Sequence, residues 1–198
     1  MERETARPFD LGPMPVGRSM VTVDERLVRA PLPTIFELAT RVERWPEHLS
    51  HYRYVKFRER RSDGGGLVEM SAYRPFEPIG RAQIPLRLNW PTWWLSEMAV
   101  NHASPCIRFR HVGGITKGME VEWAFTSVPG GTHVRILHLW DGPRIPVVGP
   151  WAAVHVIGPV FVHGIAARTL AGLAAVAEAG SGARDEGSGE TAVNSSDK

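Results

Sequence analysis

Apolar residues along this chain change their spacing once. Up to Trp140 they alternate with polar ones, as in strands that have one dry face and one wet face. Met119, Val121, Trp123 and Phe125 fall on one side, with Glu120 and Glu122 on the other. Val134, Ile136, His138 and Trp140 repeat the pattern, with His133 and Arg135 opposite. Pro129-Gly130-Gly131 joins these two runs as a hairpin turn. From Arg81 to Val100 the even positions carry Ile84, Leu86, Leu88, Trp90, Trp94, Ser96, Met98 and Val100, so this set is expected to face inward. Pro91 has no N–H and is expected to interrupt the ladder there. Further strands are predicted at Met20–Arg29, Tyr54–Arg61, Leu67–Tyr73 and Cys106–His111.

Two short helices are predicted after the first strand. Thr34 is the expected cap of one, which carries Ile35, Phe36, Leu38, Ala39 and Val42 at helical spacing. Pro46 ends it and opens a second over Glu47–His51, where His48 and His51 are expected to be exposed. Then comes the long apolar run Arg144–Ala179, which has no charged residue between Ile145 and Ala167. It is near the length of a membrane span. Pro146, Pro150, Pro159, three glycines, His155 and His163 speak against a span. A one-sided sheet also needs a cover. The run is therefore predicted to be a C-terminal helix, broken near Gly158-Pro159, that closes over the dry face. Phe161, Ile165, Leu170 and Leu173 are its packing residues, and Pro146, Gly149 and Pro150 are its expected hinge.

These elements give an α+β chain: a curved antiparallel sheet of about seven strands around one long helix. Residues 1–18 read as a flexible arm, 19–179 as the domain and 180–198 as a disordered tail, by composition. Net charge is +2, from 23 basic and 21 acidic residues, with no basic stripe, so nucleic acid is not an expected partner. The single cysteine, Cys106, excludes an internal disulfide. The opening residues contain no apolar signal stretch, so a cytoplasmic location is expected. The segment His111–Lys117 lacks the phosphate-cradling spacing and reads as a rim loop. No acidic or cysteine partner stands at metal-ligand spacing from His138 and His163, so no metal and no cofactor are expected.

Strand, two short helices, six strands and a long helix is the order of the helix-grip fold. Ala30 to Tyr52, with its Ala-Pro step, short helix and Trp45-Pro46-Glu47 turn, resembles the opening of the START-like superfamily. The likeness is to its polyketide cyclase/dehydrase and coenzyme Q-binding branch (SRPBCC-type), and covers residues 20–179. It implies that Trp45, Tyr52, Trp94, Ser96, Met98 and Trp123 line a ligand cavity. Met98 stands where aromatase/cyclases of that family carry an arginine. His138 and His163 stand where they carry two amides, and they are the candidate acid–base pair. The preferred reading is a carrier or sensor of a hydrophobic small molecule such as a polyketide, lipid or quinone. Two alternatives stay open. One is a polyketide cyclase that catalyses aldol closure and dehydration, with an acyl carrier protein as partner. The other is a lipid or quinone handler in transient contact with a membrane.

Overall fold

The computed structural model describes residues 10–74, 90–143 and 162–188. Strand β1 (Met20–Val28) leads into α1 (Leu32–Thr40), a single 3-10 turn (Val42–Arg44) and α2 (Trp45–His48). Strands β2 (Tyr52–Arg60), β3 (Gly66–Arg74), β4 (Trp90–Asn101), β5 (Cys106–Gly114), β6 (Glu120–Val128) and β7 (Gly131–Trp140) follow. Helix α3 (His163–Ser188) closes the chain. The seven strands form one antiparallel sheet in the order β1-β7-β6-β5-β4-β3-β2. This is the α+β helix-grip arrangement that the element order and the START-like resemblance imply.

The alternation holds where it can be followed. Thr92, Trp94, Ser96, Met98 and Val100 are buried, as are Val121, Trp123 and Phe125, and Val134, Ile136 and Trp140. Pro91 does not break the ladder. It pairs with Tyr73, while the pairing of β4 with β5 begins only at Trp94. Pro91 thus occupies an edge-like stretch, where a missing N–H is tolerated. Residues 81–89, 144–161 and the expected hinge lie outside the described residues. Among the described residues no helix is long and apolar enough to cross a membrane.

Several local boundaries differ from the sequence reading for physical reasons. α1 opens at Leu32 and not after Thr34, because Pro33 suits a first turn and Thr34 N–H already bonds the Pro31 carbonyl at 3.0 Å. Helix α3 runs past Ala179 to Ser188. Once a helix is nucleated, each added residue costs little, and Ser181 Oγ donates to the Ala177 carbonyl at 3.0 Å. α3 packs against β1, α1 and α2. Gly172 permits the closest approach: a Cβ there would lie 2.2 Å from Leu49 Cδ2. Leu170 and Leu173 are buried and Ile165 packs at the core's edge; Phe161 lies outside the described residues.

The N-terminal arm is held where the structure describes it. Leu11 is buried, and Arg110 Nη2 donates to its carbonyl at 2.6 Å. Arg108 Nη1 donates to the Gly12 carbonyl at 2.9 Å. Both guanidinium groups converge on Glu120, with Nη2 of Arg108 at 3.2 Å and Nε of Arg110 at 2.5 Å. Glu120 points away from the cavity, as its alternation requires. It is buried all the same, beneath the arm. Composition could not show this, because the arginines grip backbone carbonyls, which every residue has.

Candidate functional site

A cavity lies between the concave face of the sheet and α3. Its walls include Trp45, Tyr52, Trp94, Trp123 and His138, five of the residues singled out in the sequence. Met70, Phe109, Met119, Val121, Val162, Ile165 and Ala166 complete an apolar lining. The cavity volume is about 70 Å³, counted as room for the centres of water-sized molecules. One water needs roughly 10–15 Å³ on that measure, so the space has room for several waters or for a small organic molecule. Ser96 and Met98 do not line it. Both side chains are fully buried further along the same face of β4. Alternation reports only the face a residue points to, and β4 carries these two deeper into the packed core than Trp94. The side chain of His163 lies outside the described residues.

The aromatic lining is continuous. Trp123 and Trp45 lie 5.6 Å apart between ring centroids, Trp45 and Tyr52 5.3 Å, and Tyr52 and Trp94 6.3 Å. Trp94 stacks on His111 at 6.0 Å with an interplanar angle of 14°. Such rings give a flat, polarisable wall whose preferred guest is itself flat. The Trp45 indole N–H is satisfied by the Leu38 carbonyl at 3.2 Å, so it presents only its ring to the space.

His111 is the residue that sequence reasoning missed. The sequence puts it at the junction of a strand ending at His111 and a rim loop, but β5 continues to Gly114 and buries the His111 side chain. The pairing shifts register between Leu95 and Ser96, leaving Val112 as the extra residue of a bulge. Gly114 makes this geometry accessible: its φ is 84°, and a Cβ there would meet the Trp93 carbonyl oxygen at 2.3 Å. The paired glycines were the available signal, and they mark a bulged strand here. Beyond the bulge, Thr116 returns its hydroxyl to His111 Nδ1 at 2.6 Å. His111 and His138 therefore share one wall, with β6 between their strands.

Burial pushes the His111 imidazole down to about 3, and the neighbouring His138 adds to the shift. His51 is not exposed on α2. It follows that helix and packs half-buried against α3, with Nε2 3.1 Å from Thr169 Oγ1. Burial first, and the Arg168 charge second, lower it to about 4. His48 is exposed, as its place on α2 predicts. Burial raises the Tyr52 phenol well above its ordinary value, so it stays protonated. Among the described residues no cluster of three His, Cys, Asp or Glu side chains could hold a metal ion.

The two depressed imidazoles make stability depend on pH. Both are neutral in the folded chain down to about pH 4, whereas an unfolded histidine protonates near 6.5. The unfolded state therefore binds more protons between those values. Their contribution is complete above about pH 6.5 and is lost as pH falls towards about 4 for His51 and about 3 for His111. Urea midpoints measured at pH 7.5, 6 and 5 are expected to be highest at 7.5 and to drop steeply below 6. His111→Gln is expected to flatten that slope. An equally steep slope in the variant would show that other groups carry it.

Comparison with known proteins fits this geometry. A family model described as polyketide cyclase / dehydrase and lipid transport matches residues 28–155. A Streptomyces halstedii protein provisionally named a polyketide cyclase is 27% identical over 115 residues, which span 58% of this chain and 94% of that protein. Among solved structures, a Thermus thermophilus protein superposes with a TM-score of 0.64 at 18% identity, covering 82% of this chain and 99% of its own. The Zhui aromatase/cyclase of a Streptomyces species gives 0.64 at 15% identity, with 80% and 93% covered. A major latex-like protein of Panax ginseng gives 0.61 at 11% identity, with 80% and 97% covered. At these identities the structural likeness concerns the fold alone.

Proposed function

The chain belongs to the polyketide cyclase/dehydrase and lipid transport family, and from that premise we propose that it catalyses ring closure of a poly-keto molecule held in the hydrophobic cavity. The observation that carries this reading is the pair of imidazoles, His138 and His111, in the wall of a largely apolar, aromatic-lined space. A carrier of apolar molecules has no use for two buried polar rings, whose desolvation costs stability. The names of the Streptomyces relatives point the same way.

The reaction is an intramolecular aldol closure followed by loss of water. His138 takes a proton from a carbon flanked by two carbonyls. The resulting carbanion attacks a ketone carbon further along the same molecule, and a carbon–carbon bond forms. The ketone oxygen takes up a proton and becomes a hydroxyl. That hydroxyl leaves as water together with a second proton from the adjacent carbon, so no outside reactant is consumed. His111 has a different role, because an imidazole lowered to about 3 is a weak base. With Nδ1 engaged by Thr116, it offers Nε2 to a ligand oxygen and the flat of its ring to Trp94.

Carriage without turnover is the second reading, and Met98 favours it: the arginine that would anchor a carbonyl is absent, and Met98 is fully buried. One experiment separates the two. His138→Ala and His111→Ala are assayed for product formation from a synthetic poly-keto thioester and for binding of the same molecule by tryptophan fluorescence. His138→Ala is expected to lower turnover by about 10²–10⁴-fold with affinity kept within a few-fold. Turnover left unchanged would sink the cyclase mechanism, and wild-type binding without turnover would establish the carrier.

A further inference from the structure

Besides the two imidazoles, the cavity has a second polar feature, built from α3 and the start of β2. The Thr169 hydroxyl is buried and meets three groups. It lies 2.8 Å from the Ile165 carbonyl, 3.3 Å from the Tyr52 hydroxyl and 3.1 Å from His51 Nε2. Tyr52 and Thr169 both line the cavity, while His51 stands behind them with its ring 4.8 Å from that of Tyr52.

A threonine hydroxyl has one proton to give. The shortest of its contacts puts that proton on the Ile165 carbonyl, which as part of the helix also accepts the Thr169 backbone N–H. The oxygen is then free to accept the Tyr52 O–H and, with His51 as its Nε2–H tautomer, the imidazole N–H as well. When a ligand oxygen reaches Tyr52, the phenolic proton can turn to it. The Thr169 proton then swings to the Tyr52 oxygen, to which it is already aligned. The Ile165 carbonyl keeps its helical bond, and His51 keeps the Thr169 oxygen supplied with a donor. No buried group is left unsatisfied in either arrangement, so the change is inexpensive.

We propose that Thr169 and His51 are positioning residues that make Tyr52 a hydrogen-bond donor to a ligand ketone, so that the cavity selects ketone-bearing flat molecules over hydrocarbons of the same shape. This rests on the cavity being the binding site, as in the function proposed above, and not on turnover. Aldol substrates carry such ketones, so the donor belongs to the same site as the imidazoles.

The probes are 1-tetralone and tetralin, two bicyclic molecules that differ in one carbonyl. Their affinities are read by tryptophan fluorescence, and the carbonyl stretch of bound tetralone by infrared difference spectroscopy. The wild-type protein is expected to bind tetralone about tenfold more tightly than tetralin, with the stretch shifted to lower wavenumber than in hexane. Tyr52→Phe and Thr169→Val are each expected to remove most of that preference and to leave tetralin affinity within about twofold. The stretch should move back towards its hexane position in both. Thr169→Ser restores the preference, which a purely structural role for the threonine methyl would not allow. Equal binding of the two probes by the wild type overturns the donor inference while keeping the cavity as the binding site. So does tetralone binding unmoved by either variant. Failure of both probes to bind overturns the inference together with the cavity reading.

Discussion

Trp140→Ala is expected to lower the free energy of unfolding by about 4 kcal/mol. Trp140 is 1% exposed and is the largest fully buried side chain among the described residues. Its ring fills the end of the concave face, where β7 finishes beside the turn between β5 and β6. Its indole N–H donates to the Lys117 carbonyl at 3.0 Å and so pins that turn. Alanine removes both the packing and the donor, leaving a void and an unpaired carbonyl. Small domains have only about 5–15 kcal/mol in total, so the loss takes a large share of it. Trp140→Phe keeps much of the apolar volume and loses the hydrogen bond, and about half the cost is expected for it. Urea unfolding monitored by circular dichroism measures both. A cost below about 1 kcal/mol for the alanine variant would mean that the turn and the end of β7 do not unfold with the core. The same turn supplies Thr116, which holds His111, so the alanine variant should also weaken cavity binding.

Glu120→Ala is expected to cost about 3 kcal/mol or more, through charge and not through volume. Its carboxylate is buried between Arg108 and Arg110, whose other N–H groups grip the carbonyls of Gly12 and Leu11. Removing the acid leaves two guanidinium groups crowded together, one of them largely buried, with no counter-charge between them. Breaking one member of such a set costs more than the set contributes, because the remaining charges stay desolvated. The arm over this face should loosen, so limited proteolysis is expected to cleave near Leu11 sooner in the variant. Replacing Arg108, Arg110 and Glu120 together by apolar residues is expected to restore much of the stability but not the protection of the arm. An arm cleaved equally fast in the Glu120→Ala and wild-type proteins would show that the arginines hold it without the acid.

Both predictions concern residues on one sheet whose roles differ by the face they take. That face was legible in the sequence. Period-two alternation decides the side of each residue wherever one face is dry, because a slip of one position would expose the whole apolar set. His138, Trp94 and Trp123 could thus be assigned inward, and Glu120 outward, before any coordinates. The element order and the Trp45-Pro46-Glu47 turn then sufficed to suggest the family that the matches establish.

Depth and partnership were not legible, because they depend on what arrives from elsewhere in the chain. Ser96 and Met98 share the inward face with Trp94 but are fully buried and are not among the residues that line the cavity. Glu120 faces out but is covered by an arm more than a hundred residues away in sequence. His111 follows the alternation of β5, and only the bulge at Val112 shows that its strand continues through two glycines. His51 reads as a surface residue of a short helix until α3 brings Thr169 to it across the closed grip. The local pattern of the sequence by itself determined the sheet, its dry face and the helix over it. The groups that meet in the cavity, and the protons they share, were decided only by tertiary structure, since distant segments supply the contacts and exclude the water.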